Sequence, residues 1–104
     1  MRRVSVVGTS GVGKSTFAAL LASRLGCPFL ELDSVYHQAD WVPLATDLFR
    51  DRVADFAAGS HWVIDGNYSK VRDVVWSRAG TVVWLDLPRR VVMRRLVWRT
   101  PIRA

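Results

Sequence analysis

The sequence holds one cysteine, Cys27, among 104 residues. An internal disulfide is therefore impossible and no cysteine cage for a metal exists, which fits a reducing, cytoplasmic setting. Long apolar runs are missing too. No stretch approaches the roughly 20 residues needed to cross a bilayer, and the apolar run of the opening "MRRVSVVGTSG" is too short for a secretory signal. No membrane partner is expected. Repeats and low-complexity tracts are absent, and the length leaves room for one modest core, so residues 1–104 read as a single domain. Acidic residues are scarce: 9 Asp and Glu against 15 Lys and Arg give a net charge of +6. That balance points to an anionic partner such as a nucleotide, a nucleic acid or a lipid headgroup.

What is present is an alternation. Four runs rich in Val, Ile, Leu and aromatics, "RVSVVG", "PFLEL", "HWVID" and "TVVWLDL", read as strands. Segments with helical spacing lie between them, which predicts parallel strands joined by crossover helices. The first helix, over 14–25, places Phe17, Leu20, Leu21 and Leu25 on one stripe before Gly26. The second, over 46–58, aligns Phe49, Val53, Phe56 and Ala57. A weaker third covers "SKVRDVVWSR", and a last one follows Pro88 from 89 to 99. Trp62, Trp76, Trp84 and Trp98 fall within these patterns and read as core. The loop "DSVYHQADWVPLATD" is the longest piece without a pattern, and such loops at strand ends carry substrate contacts.

Between the first strand and first helix stands "GTSGVGKS". Gly8, Gly13, Lys14 and Ser15 meet the pattern G-x-x-x-x-G-K-[ST] in full, with Gly11 as an extra glycine, and the strand before and helix after are the context it requires. Backbone N–H groups in such a loop turn inward around phosphate, which demands glycine where a Cβ would clash. Gly8, Thr9, Ser10, Gly11, Val12, Gly13, Lys14, Ser15 and Thr16 are the expected nucleotide contacts. Lys14 would bridge the β- and γ-phosphates of ATP, and Ser15 would give its hydroxyl to Mg²⁺. Asp65 ends the third strand before Gly66; it reads either as a second Mg²⁺ element or as a turn cap. On the last helix Arg95 and Arg99 share a face, suited either to a transferring phosphoryl or to solvent, while Arg90 and Arg94 read as solvated. Tyr36, His37 and Trp41, in the long loop, could stack on a base or sugar.

Four ordered stretches, "GTSGVGKST", "ELDSVYHQADW", "DGNYSKVRD" and "VVWLDLPR", make the chain resemble the adenylate-kinase-like P-loop nucleotide kinases, most closely a bacterial branch labelled DNA topology modulation proteins. The resemblance implies a three-layer α/β/α sandwich with parallel strands ordered 2-3-1-4. It also implies ATP-dependent transfer to a nucleotide or other small acceptor, with Lys14, Arg95 and Arg99 stabilising transferred charge. In related small-molecule kinases a carboxylate at the position of Asp33 meets the acceptor hydroxyl; read from the sequence alone, Asp33 serves equally well as a cap at the start of the loop. Adenylate kinases follow their Asp-Gly with Phe-Pro-Arg, whose arginine grips the acceptor phosphate; here Asn67, Tyr68 and Ser69 follow, Arg72 and Lys70 are the candidates to substitute, and the acceptor need not be a nucleoside monophosphate. The family's lid, fifth strand and C-terminal helix are expected to be lacking, which would leave "TVVWLDL" as an exposed edge open to self-association. The competing reading is a non-catalytic ATP-binding protein that contacts nucleic acid through the last helix. That helix carries Val91, Val92, Met93, Leu96 and Val97 among its arginines and so has a side to bury, which favours the kinase.

Overall fold

The computed structural model describes residues 2–8, 12–37, 43–86 and 90–95. Strands β1 (Arg3–Gly8), β2 (Phe29–Glu31), β3 (Trp62–Asp65) and β4 (Thr81–Asp86) are parallel, and β5 (Arg90–Arg95) runs antiparallel beside β4, giving the order β2-β3-β1-β4-β5. The parallel part has the expected 2-3-1-4 order. Helices α1 (Val12–Leu25), α2 (Leu32–Tyr36), α3 (Thr46–Ala57) and α4 (Arg72–Trp76) make the connections.

Side chains alternate across a strand, so each strand feeds two cores. Val4, Val6, Val63 and Val83 face α1, where Ala18 and Ala22 are buried. Trp62 and Ile64 face the opposite layer, where Phe49, Val53 and Ala57 of α3 meet Val71, Val75 and Ala79 around α4. The α3 stripe thus lies where its spacing predicts. The α1 stripe does not: Leu20 is 58% exposed and Leu25 39% exposed, while two alanines make the central contact. Small residues there let the helix axis approach the sheet closely, and Phe17 and Leu21 pack at the sides. Trp62 is fully buried, with its Nε1–H donating to Ala57 O at 3.0 Å. Trp76 and Trp84 are half-buried and meet edge to face at 6.1 Å, and Trp98 lies outside the described residues.

The last expected helix is the main correction. Residues 90–95 form a strand, in register with β4 from Asp86↔Arg90 to Thr81↔Arg95. An i, i+4 pattern over "RVVMRR" is weak against its β-branched Val91 and Val92, and the open side of β4 offers a row of unpaired backbone groups that a following segment can satisfy. Thr81–Asp86 of "TVVWLDL" are therefore covered by β5, so β4 is not the exposed edge on which the expected self-association rested. Two smaller differences concern helices: α2 opens the loop expected to be unpatterned, and α4 is confined to five residues. Among the described residues no helix is long and apolar enough to cross a membrane.

Candidate active site

Pleat and register assemble the phosphate end. Phe29 and Val63 are register partners facing α1, and two residues on, Glu31 and Asp65 are register partners on the same face. Both carboxylates therefore arrive beside the first turn of α1. Lys14 Nζ lies 2.7 Å from Asp65 Oδ1, with side chains 10% and 2% exposed. The Ser15 hydroxyl lies 2.8 Å from Glu31 Oε2 and 3.1 Å from Asp65 Oδ2, one proton facing two acceptors. Ser34 donates to Glu31 Oε1 at 2.9 Å. Two carboxylates with one ammonium leave a surplus negative charge, an arrangement suited to a hard cation. Among the described residues no group of three or more His, Cys, Asp and Glu could hold a metal by itself. Water and phosphate oxygens would complete the shell of an ion at Ser15, Glu31 and Asp65, as Mg²⁺ prefers.

The glycines divide by cause. Gly8 has φ +137°, and a Cβ there would stand 2.1 Å from Leu85 O, so the turn out of β1 admits glycine alone. Gly66 has φ +124° and would place a Cβ 3.0 Å from that of Leu32; this close approach draws the ends of β2 and β3 together beneath Ser15. Gly13 differs from both, since no atom lies within 4 Å of its Cβ position. Among the described residues outside the backbone of α1 nothing demands glycine there, and the open space suits a phosphate group. Val12 opens α1, and Thr16 is exposed one residue past Ser15. Thr9, Ser10 and Gly11 lie outside the described residues.

The residues expected to meet an acceptor lie at the same C-terminal ends of the parallel strands. Asp33, in the first turn of α2, accepts a hydrogen bond from Tyr68 OH at Oδ1. Burial, aided by that bond, pushes the Tyr68 phenol above its usual range, so it remains a donor. The rings of Tyr36 and Tyr68 lie 5.0 Å apart, and Phe49 backs both, at 5.1 and 5.5 Å. Lys70 Nζ sits 5.0 Å over the Tyr36 ring and donates to its hydroxyl at 3.2 Å. His37 packs edge-on to Tyr36 and bridges to Pro43, closing the neck of the loop that holds Trp41; Trp41 itself is outside the described residues. Arg72 turns elsewhere, donating to Asn67 Oδ1 at 2.8 Å and stacking on Trp76 at 5.9 Å.

The expected arginine at position 95 lies on a strand whose backbone leads away from this cluster. The strand register sets Arg95 opposite Thr81, four positions back from the Leu85 level at which Gly8 pairs. At about 3.3 Å per residue that is about 13 Å away along the sheet. The helical face shared with Arg99 does not form at Arg95, and Arg99 is outside the described residues. Glu31 is the residue the motif reading missed. Its signal was available in "PFLEL", where an acid stands between two leucines at the end of a strand beside "WVID".

No family model matches the chain. Among curated proteins it is 34% identical to a shikimate kinase of Synechococcus sp. strain RCC307, over 88% of this chain and 54% of that protein. It is 30% identical to chloroplastic shikimate kinase 2 of Oryza sativa subsp. japonica, over 91% of this chain and 36% of that one. A shikimate kinase of Persephonella marina is 29% identical, over 91% and 67%. The chain thus spans between about a third and two thirds of the length of these relatives. Among solved structures, a sugar kinase from Janibacter sp. HTCC2649 superposes with a TM-score of 0.53 and 27% identity, over 83% of this chain and 59% of that one. A gluconokinase from Sinorhizobium meliloti 1021 gives the same TM-score at 23% identity, over 82% and 56%, a likeness of fold. The relatives by sequence are shikimate kinases, and the fold is that of the P-loop small-molecule kinases.

Proposed function

We propose that the chain is a P-loop phosphotransferase that moves the γ-phosphoryl group of ATP to a hydroxyl of a small acceptor. The observation that carries this reading is the Ser15 hydroxyl set between two register-paired carboxylates beside Lys14. A hydroxyl, two acids and one ammonium at the start of a helix are the parts a Mg·triphosphate requires. When the triphosphate enters, Lys14 exchanges Asp65 for the β- and γ-phosphate oxygens. Ser15, Glu31 and Asp65 would hold Mg²⁺, which would supply charge neutralisation at those oxygens. Tyr68 occupies Asp33 Oδ1, and among the described residues Oδ2 carries no hydrogen bond. The acceptor hydroxyl gives its proton to that oxygen. Its O–P bond forms as the bond from the γ-phosphorus to the β–γ bridging oxygen breaks, and the electron pair leaves with ADP.

Shikimate and gluconate, the substrates named by relatives, are the first acceptors to try. The alternative, nucleic-acid contact through an arginine-bearing last helix, loses support because residues 90–95 form a strand; the narrower likeness to DNA topology modulation proteins adds no chemistry. The test is ³¹P NMR of the chain with Mg·ATP and each acceptor, alongside titration calorimetry with Mg·ATP. Asp33→Asn should lower turnover by about 10²–10⁴-fold and leave Mg·ATP affinity unchanged. A chain that binds no Mg·ATP, or an Asp33→Asn variant as fast as the parent, would sink the proposal.

A further inference from the structure

We propose that the molecule has a second ligand site, at the end of the sheet opposite Lys14, which takes a small phosphate monoester: Arg2 and His61 hold the phosphate, and Leu25 and Cys27 meet the carbon skeleton. These four residues line an open cavity of about 290 Å³. A volume of that order is at the small end for a ligand site. Arg2 precedes β1, His61 precedes β3, Leu25 ends α1 and Cys27 lies in the connection to β2, so four separate stretches of chain converge there. The strand β1 runs from Arg3 at this end to Gly8 at the phosphate end, roughly 17 Å at 3.3 Å per residue. A ligand in the cavity is therefore apart from the triphosphate of the kinase reading, and the inference does not depend on that reading.

Backbone bonds hold the walls in place. Trp62 N–H donates to Arg2 O at 2.7 Å, Val63 N–H donates to Pro28 O at 2.9 Å, and Arg3 Nε donates to Gly59 O at 2.9 Å, which ties the start of β1 to the turn before β3. The end of α1 is closed by Gly26 N–H donating to Ser23 O at 3.2 Å and Cys27 N–H donating to Ala22 O at 3.1 Å, so two carbonyls of its negative end are engaged. Charge then decides the ligand. Arg2 and His61 are exposed, and among the described residues no carboxylate forms an ion pair with Arg2. Glu31, Asp65 and Asp86 end their strands at the far end of the sheet, and no acid lines the cavity. Cys27 adds no negative charge, because burial pushes its thiol above the usual range. The Ser60 hydroxyl lies 2.9 Å from His61 Nδ1; donating there, it sets the ring hydrogen on Nε2, which becomes a donor for a ligand. A guanidinium can bond two phosphate oxygens and an imidazole a third, one more than a carboxylate offers. Leu25, 39% exposed, and the half-buried Cys27 leave the remaining wall to a short carbon chain.

Cys27 is the one cysteine in the sequence, so its alkylation reports on this cavity and on no other place. The experiment follows the rate of Cys27 alkylation by N-ethylmaleimide, at fixed pH and ionic strength, as glycerol 3-phosphate, glycerate or glycerol is added. Glycerol 3-phosphate should slow alkylation saturably, glycerate should need about tenfold more for the same protection, and glycerol should have no effect. Arg2→Gln should raise the glycerol 3-phosphate concentration for half protection about tenfold, as the loss of one charge-assisted hydrogen bond does. His61→Ala should raise it as well, and Arg2→Lys should keep part of the protection. Both side chains are exposed, so melting curves of the ligand-free variants should match the parent's. Absence of protection, glycerate protecting as well as glycerol 3-phosphate, or protection that ignores Arg2→Gln would overturn the proposal. Protection by a single-stranded oligonucleotide and not by glycerol 3-phosphate would overturn it too, since the end of the sheet would then be a surface for a polymer backbone.

Discussion

At the first turn of α1, Lys14, Ser15, Glu31 and Asp65 are bonded to one another, and Asp65 is 1% exposed. In the segments that follow β2 and β3, Asp33 and Lys70 are exposed and are joined through two half-buried rings. The first group is held by strand register and a close helix; the second rests on a five-residue helix and a turn, tied down by Arg50. On the proposed reading, the first group serves one chemical group, phosphate, and can be built into the sheet, whereas the second must fit one molecule among many, and surface residues on turns can change without disturbing the core.

Lys14→Ala should separate the two regions most sharply. It leaves the Asp65 carboxylate without its cation at a site 2% exposed, and breaking a pair of that kind costs about 3–5 kcal/mol. Denaturant unfolding should show this loss, with added Mg²⁺ restoring part of it, while calorimetry shows Mg·ATP binding at least ~10-fold weaker, about 1.4 kcal/mol. Stability equal to the parent would mean that the phosphate end is as loosely built as the acceptor end. Glu31→Gln should act on one property only. Ser15 and Ser34 donate to different oxygens of Glu31; the amide oxygen keeps one of these bonds, the other hydroxyl can turn to accept from the amide N–H₂, and one of two adjacent negative charges is gone. Unfolding should be unchanged or slightly harder, and the Mg²⁺ requirement for ATP binding should rise about 10-fold. An unchanged requirement would remove Glu31 from the ion site.

The smallest effect is expected at the exposed tie. Arg50 holds the Asp73 carboxyl down at about 2, below the ~3.9 of a free aspartate. A depressed carboxyl contributes stability above its unfolded value and loses it as the pH falls through the folded one. Between pH 4 and 2, therefore, the parent should lose an increment that Arg50→Gln already lacks. Melting curves of the two proteins should converge toward pH 2; a constant separation would show that the pair does not contribute.

Much of the phosphate end was legible in the sequence, because its parts are contiguous: glycines, lysine and serine within eight residues, and an acid closing a strand. Glu31 could be read only as an acid closing a strand; that it stands level with Asp65 follows from the register of two separate strands. The same holds for Tyr68 with Asp33 and Lys70 with Tyr36, residues over thirty positions apart. The α1 stripe was misjudged for a different reason. Hydrophobicity marks large residues, whereas the contact is made by Ala18 and Ala22, chosen for closeness. At β5 the local pattern competed with an unpaired neighbouring strand, which no local pattern contains.

The pairing of Glu31 with Asp65 also makes the ion site sensitive to counting. A side chain's face in a strand is set by whether its position is odd or even, so deleting one residue from β2 would turn Glu31 away from α1 and bring an apolar neighbour of Glu31 to Ser15. Most substitutions in this short edge strand preserve the count, whatever they do to packing. Along these three residues the gene tolerates changes of letter far better than changes of length.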